Sequence, residues 1–392
     1  MHVKQILTRC FSSVFNTMHR SRRAVFIHAI EALVAGHRLT LTDIARAWPD
    51  AMFVHAPLKA LDRLLSNRHM PLHRFALQRN IARWLLRSKM PLVIVDWADL
   101  KGDGRWYLLR ASVPVGGRTM TLLDHVYPIA EQNTQKAQQH FLDLLKVVVG
   151  KDQTLVIISD AGFRSDWCRA VRKMDWHFVG RLRNNTKVCQ AHTEAWQACS
   201  GLHHQANKKA LDLGDYHIVQ GHPLAVRLVM IKHASRQRHG LNRDGTSQQD
   251  TDAKRARKRT QEPWLLHTSL SASQASASNI VKMYAKRMQI EEAFRDLKSS
   301  RFGVGFAHSQ SRKQERLHVL LLLQTLAEFV AWVTGITAKL TEHYEPVARQ
   351  SKQRLKYSVQ RLGRAWLLHP HPPWRCDELI RNLRQWQYPH NQ

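Results

Sequence analysis

Residues 91–97 read Pro91-Leu92-Val93-Ile94-Val95-Asp96-Trp97, an unbroken aliphatic run closed by an acid. The proline ends the preceding helical pattern, and four successive branched aliphatics predict a strand buried on both faces. Upstream, residues 1–90 keep a helical period. Val25, Phe26, Ile27, Ile30, Leu33 and Val34 recur at helical spacing until Gly36, and Thr40 or Thr42 can cap a helix running to Trp48. Two more helices are expected near Pro57–Leu65 and Pro71–Arg87. The pair before Trp48 reads equally as a helix-turn-helix, with Arg38 and Arg46 for phosphates, or as two ordinary bundle helices.

Downstream the strand signal repeats. Trp106–Val113 and Met120–Tyr127 alternate like neighbours of the first strand, joined through Gly116-Gly117. Gln132–Val149 reads as a helix closed by Gly150, and Leu155-Val156-Ile157-Ile158 is a second buried strand running into Ser159-Asp160. Trp176–Leu182 is a further strand. The order strand, strand, strand, helix, strand, helix, strand predicts an α/β fold with a mixed sheet. Residues 184–262 break that rhythm with short β-like pieces and a basic stretch, Ser235–Arg259, that includes Lys254–Arg259. Trp264–Thr268 returns to the sheet, one long helix is expected over Ala275–Ser299, and the remainder is helical with a Pro-rich tail around His369–Trp374.

Composition narrows the function. The 392 residues carry 60 Lys+Arg against 30 Asp+Glu, a formal net charge of +30. With 44% hydrophobic residues the chain has ample core material, so the excess charge points to a polyanionic partner, nucleic acid first. Residues 1–90 alone hold 15 Lys/Arg against 4 Asp/Glu, a net of +11. The five cysteines, Cys10, Cys168, Cys189, Cys199 and Cys376, form no CxxC pair, which suits a reducing cytoplasm. No long apolar leader stands near Lys4 and Arg9, so secretion is not expected. The apolar stretch Val319–Ala338 contains Gln324 and Glu328 and reads as a buried helix rather than a membrane span. Neither a P-loop nor a GxGxxG turn follows a strand, so no nucleotide cofactor is expected.

Asp96 and Asp160 close the two most apolar strands, where open α/β sheets place their ligands. The helix expected over 275–299 supplies a third acid. Tyr284, Arg287, Glu291 and Lys298 stand at offsets 0, 3, 7 and 14, or about 0°, −60°, −20° and −40° on a helical wheel. Met283, Ile290, Phe294 and Leu297 form the adjacent apolar stripe, and Glu292 falls outside the polar one. A phenol, a carboxylate and two cations beside a core edge match a phosphodiester site better than a solvated face.

The spacing Tyr284-x2-Arg287-x3-Glu291-x6-Lys298, with Asp96 and Asp160, resembles the YREK signature of bacterial insertion-sequence DDE transposases. The whole chain is similar to transposases such as those of the insertion sequences flanking the tetracycline-resistance transposon. The resemblance implies an RNase H-like mixed-sheet core over residues 91–183 and 263–312, interrupted by a β-rich insertion at 184–262. A helical DNA-binding domain would occupy 1–90, and a helical, dimerising region 313–392. It implies two Mg²⁺ ions, with Mn²⁺ as a substitute, held by Asp96, Asp160 and Glu291. Arg287 and Lys298 would grip phosphates, Tyr284 would contact the same strand, and Trp264 would stack on a flipped base. From its position alone, at a strand start, Trp264 reads rather as a core tryptophan. The implied partners are double-stranded DNA, as terminal inverted repeats and target, and a second copy in a synaptic complex. Location is expected to be cytoplasmic and nucleoid-associated, with no membrane. The implied reaction is hydrolytic nicking, hairpin formation and reopening, then joining of 3′-hydroxyl ends to target. A structure-specific nuclease that does not join, and a repressor derived from such an element, are the alternatives.

Overall fold

A computed structural model describes residues 2–183, 185–232, 262–345, 347 and 357–386. The chain divides into two compact units, residues 1–154 with 288–392, and residues 155–287. The basic stretch expected at 235–259 lies outside the described residues.

The first unit opens with helices α1 (His2–Cys10), α2 (Ser12–Phe15), α3 (Arg20–Gly36), α4 (Leu41–Arg46), α5 (His55–Leu65) and α6 (Met70–Leu85). Helix α3 ends at Gly36 as expected, with His37 in the left-handed conformation (φ 52°) as its cap. Of the two candidate threonines, Thr40 caps α4: its hydroxyl accepts from Asp43 N at 3.1 Å. Arg38 is occupied inside the unit, donating to the Ser300 carbonyl.

Strands β1 (Leu92–Asp99), β2 (Trp106–Pro114) and β3 (Thr119–Pro128) follow as an antiparallel meander in the order β3-β2-β1. Gly116 and Gly117 make the β2–β3 turn at φ of 87° and 88°, backbone angles that residues with a Cβ rarely adopt. Strand β1 corrects one expectation. It runs on to Asp99, because the ladder with β2 continues through Asp99↔Tyr107, so Asp96 sits mid-strand and not at a strand end.

Helix α7 (Gln135–Val149) closes the first stretch of this unit, capped by the Thr134 hydroxyl, which accepts from Ala137 N at 3.2 Å. The long α11 (Gln314–Leu340) belongs to the same unit. It is long and apolar enough to cross a membrane, yet 94% of its apolar window is buried inside the fold. Phe329 packs edge-on against Phe11 at 5.2 Å, and Trp332 is fully buried, so α11 is the core helix that Gln324 and Glu328 suggested. Helices α12 (Val359–Leu368) and α13 (Cys376–Gln385) pack on α11.

The second unit holds β4 (Val156–Ile158), α8 (Ser165–Lys173) and β5 (His177–Leu182), a parallel β-α-β step. Strand β5 then pairs antiparallel with β10 (Trp264–Thr268), and the order continues β9 (Leu224–Ile231), β8 (Leu211–Ile218), β6 (Lys187–Gln190), β7 (Gln197–Ala198). The interruption at 184–262 is therefore β-rich in its described part. Meander, β-α-β step, β-rich insertion and helical ends together make an α/β architecture.

The helix expected over 275–299 is two helices, α9 (Ala277–Ala285) and α10 (Met288–Lys298). At the break Lys286 N bonds to Met283 O and Arg287 N to Tyr284 O, tight three-residue closures in place of α-helical ones. Neither proline nor glycine marks this break, so the sequence gives no warning of it. The continuous polar stripe from Tyr284 to Lys298 is thus divided: Tyr284 lies on α9, Arg287 in the turn, and Glu291 and Lys298 on α10.

Candidate active site

In the first unit, Asp96 lies between the buried Val95 and the half-buried Trp97, and its Oδ1 accepts from Trp97 N at 2.9 Å. Asp99, three residues further on, holds the turn after β1, accepting from Lys101 N at 3.1 Å and Gly102 N at 2.8 Å. Helix α10 buries Ile290, Ala293, Phe294 and Leu297, which leaves Glu291 exposed in its first turn and Lys298 half-buried in its last. Glu292 is engaged by Arg118 at 3.6 Å and by Arg295, while Arg118 also holds Asp296 at 2.6 Å. That pairing gives Glu292 a structural task on the helix.

Burial pushes the Lys298 ammonium below the usual lysine range, and Arg110 adds to the fall. Asp99 and Asp96 oppose it, so the lysine stands within electrostatic reach of both acids. Lys298 and Asp96, separated by two hundred residues of chain, are brought together.

In the second unit, Asp160 follows β4 by two residues, its Oδ1 accepting from Gly162 N at 2.8 Å. A Cβ on Gly162 would come within 3.0 Å of that carboxylate oxygen, so the close approach favours glycine. Tyr284 is 5% exposed, the reverse of the expected pattern, in which Met283 was the buried neighbour; Met283 is only half-buried. Burial pushes the phenol up; Asp160 adds to the rise, and Arg287, Arg181 and Arg183 oppose it. These charges therefore lie within electrostatic reach of one hydroxyl. Trp264 opens β10 half-buried, its ring 5.1 Å from that of Tyr284.

Arg181 and Arg183 were missed in the sequence. Arg181 lies on β5, the parallel neighbour of β4, and Arg183 one residue past its end, and that alternation was the available signal. Arg181 is buried and pushed down to about 10, chiefly by that burial, and it donates to the Glu262 and Pro263 carbonyls at 3.4 and 3.3 Å. It thereby braces the backbone just before Trp264.

Residues 87–328 match the family described as the transposase DDE domain. The chain belongs to that family. No curated protein matches the transposase. Among solved structures it is similar to the piggyBac transposase in a synaptic complex with hairpin DNA, at 10% identity and a TM-score of 0.41. That similarity covers 98% of the present chain and 78% of the other.

The three candidate acids fall in both units, Asp96 and Glu291 in the first and Asp160 in the second. Among the described residues no three His, Cys, Asp or Glu side chains gather closely enough to hold a metal ion. By donor chemistry, three carboxylates and no sulfur or imidazole suit a hard divalent cation.

Proposed function

We propose that this transposase cuts the ends of a bacterial insertion sequence and joins the resulting 3′-hydroxyls to target DNA. The reading rests on one observation above all: two of the three candidate acids, Asp96 and Asp160, are accompanied by cations. Lys298 stands by Asp96, and Arg287, Arg181 and Arg183 stand with Asp160 around Tyr284. Acids and cations in that mixture suit a substrate that is itself anionic and is attacked at phosphorus.

Asp96, Asp160 and Glu291 are the residues that would hold divalent cations, Mg²⁺ by preference. When bound, such ions activate the attacking oxygen and stabilise the leaving one. The protein's own groups do the rest. Arg287 and Lys298 hold phosphates near the scissile bond, and Tyr284 contacts the same strand through its hydroxyl. Because burial favours the protonated phenol, Tyr284 serves as a donor and not as a nucleophile, in keeping with a mechanism lacking a covalent protein–DNA intermediate. Trp264 stacks on a base turned out of the strand when the freed 3′-hydroxyl closes a hairpin on its partner. Residues 1–90 read the terminal inverted repeats, a second copy completes the synaptic complex, and the protein works on the nucleoid in the cytoplasm. A net charge of +30 makes end binding steeply salt-dependent, through release of condensed counterions.

The test uses linear DNA carrying the repeats that flank the gene. Asp96→Asn, Asp160→Asn and Glu291→Gln are each expected to abolish Mg²⁺-dependent nicking while gel shifts stay near wild type, since each removes charge but little volume. A variant that nicks normally loses its place among the acids. Wild-type protein that nicks but never joins ends to target reduces the activity to that of a nuclease.

A further inference from the structure

The sheet of the first unit carries a row of charge beside Asp96. The β1–β2 and β2–β3 registers align Asp96, Arg110 and Asp124 across three neighbouring strands, which puts all three side chains on one face. Arg110 and Asp124 are 2% and 3% exposed. The guanidinium grips both carboxylate oxygens, Nε to Oδ1 at 2.7 Å and Nη2 to Oδ2 at 2.8 Å. From α6, Arg74 adds a 2.9 Å hydrogen bond to the Asp124 carbonyl.

Helix α10 packs on that face. The Arg110 guanidinium carbon lies 5.3 Å from the centre of the Phe294 ring, and Lys298 Nζ lies 5.9 Å from the same ring. Phe294 stands three residues after Glu291 and four before Lys298, so the three occupy neighbouring positions on one side of the helix. Stability gives little reason for such an arrangement. A buried ion pair is typically no more stabilising than apolar side chains of similar volume, because removing two charges from water offsets their attraction. What a forked, fully hydrogen-bonded pair supplies is a fixed position.

We propose that Arg110 is a positioning residue: locked by Asp124, it fixes Phe294 and thereby holds α10, with Glu291 and Lys298, in register with Asp96 on β1. The inference rests on the reading of Asp96 and Glu291 as metal-holding acids. Arg110 acts through Phe294 and the β1–β2 ladder, and it touches neither DNA nor the reacting atoms.

The test compares the full-length wild type with Arg110→Met/Asp124→Leu, a double substitution that removes both charges together and strands neither. Three properties are measured: thermal unfolding, Mn²⁺ affinity by electron paramagnetic resonance without DNA, and nicking of DNA carrying the flanking repeats. The expected result is a melting temperature near wild type with Mn²⁺ affinity and nicking both reduced about 10- to 100-fold, the usual size of an outer-layer effect on a metal site. Phe294→Leu, which removes the ring but keeps an apolar side chain, is expected to reproduce the loss and serves if the double variant fails to fold. Wild-type Mn²⁺ affinity and nicking in a folded double variant, or in Phe294→Leu, overturn the proposal alone. A wild-type protein that neither holds Mn²⁺ nor nicks overturns the functional reading, and the proposal with it.

Discussion

The indole of Trp264 meets the ring of Tyr284 in a T-shaped contact, centroids 5.1 Å apart and planes at 79°. A tryptophan expected to stack on DNA thus also supports the tyrosine expected to contact the same strand. Trp264→Ala is predicted to spare first-strand nicking and to slow hairpin formation or opening about 5- to 150-fold, the equivalent of about 1–3 kcal/mol of lost stacking. Trp264→Phe should recover part of the loss. Time courses of nicked, hairpin and double-strand-break products check this, with a melting curve for each variant. Uniform slowing of all steps with a depressed melting temperature would assign Trp264 to the core.

Glu328, on α11, accepts from Gln324 Nε2 at 2.8 Å, and burial pushes its carboxyl up to about 7. Arg110 and the Gln324 hydrogen bond oppose the rise without cancelling it. A folded-state value above the unfolded one stabilises the protein below about pH 4.5 and loses that contribution as pH rises through about 7. Glu328→Gln removes the titration, so it should raise stability at pH 8 by up to about 3 kcal/mol and leave little difference at pH 5. Denaturant unfolding at the two pH values measures it; an equal effect at both would show that the carboxyl does not titrate in this range.

Three histidines behave oppositely. Burial pushes His125 down to about 3, His267 to about 4 and His318 to about 2, with Arg74 assisting at the first and last and Arg172 at His267. The unfolded chain takes up these protons near pH 6.5, so stability is present above that value and falls as the medium is acidified. Each histidine is expected to contribute about 1.4 kcal/mol per pH unit below pH 6.5. His318 Nε2 accepts from Val126 N at 3.0 Å, so His318→Gln keeps an acceptor and should flatten the slope by one proton's worth. An unchanged slope would remove His318 from the set.

Gly363 on α12 lies against α11 so closely that an added Cβ would overlap the Ala331 carbonyl, and one on Gly335 would overlap the Val359 carbonyl. Alanine improves helix propensity at either position, yet overpacking should dominate. Gly363→Ala and Gly335→Ala are each predicted to lower stability by about 1–3 kcal/mol. Denaturant midpoints test this, and a gain in stability would mean that the two helices can separate without cost.

Much of this protein was legible along the chain because its signals are local. The aliphatic runs at 92–95 and 155–158 became buried strands, the insertion is β-rich in its described part, and the apolar stretch around 319–338 became a core helix. Hydrophobic period and turn glycines decide such elements within a few residues, whatever lies elsewhere. The motif residues could be singled out in the same way, as residue types at fixed spacing.

What the tertiary structure alone decided is which distant partner each residue meets. Asp96 became a mid-strand residue because β2 continues the ladder to Asp99, and a strand's length depends on its neighbour as much as on its own sequence. The helix over 275–299 divided at Lys286-Arg287 without a breaker residue, and Tyr284 rather than Met283 went into the core. Arg181 and Arg183 joined Tyr284 and Asp160 across the fold, and Arg110 found Asp124 at the next strand, where periodicity showed only one more charge in an alternating run. Burial and pairing of charge are set by water excluded from several sides at once. Those sides are built from segments far apart in sequence, so this part of the site exists only once the chain has folded.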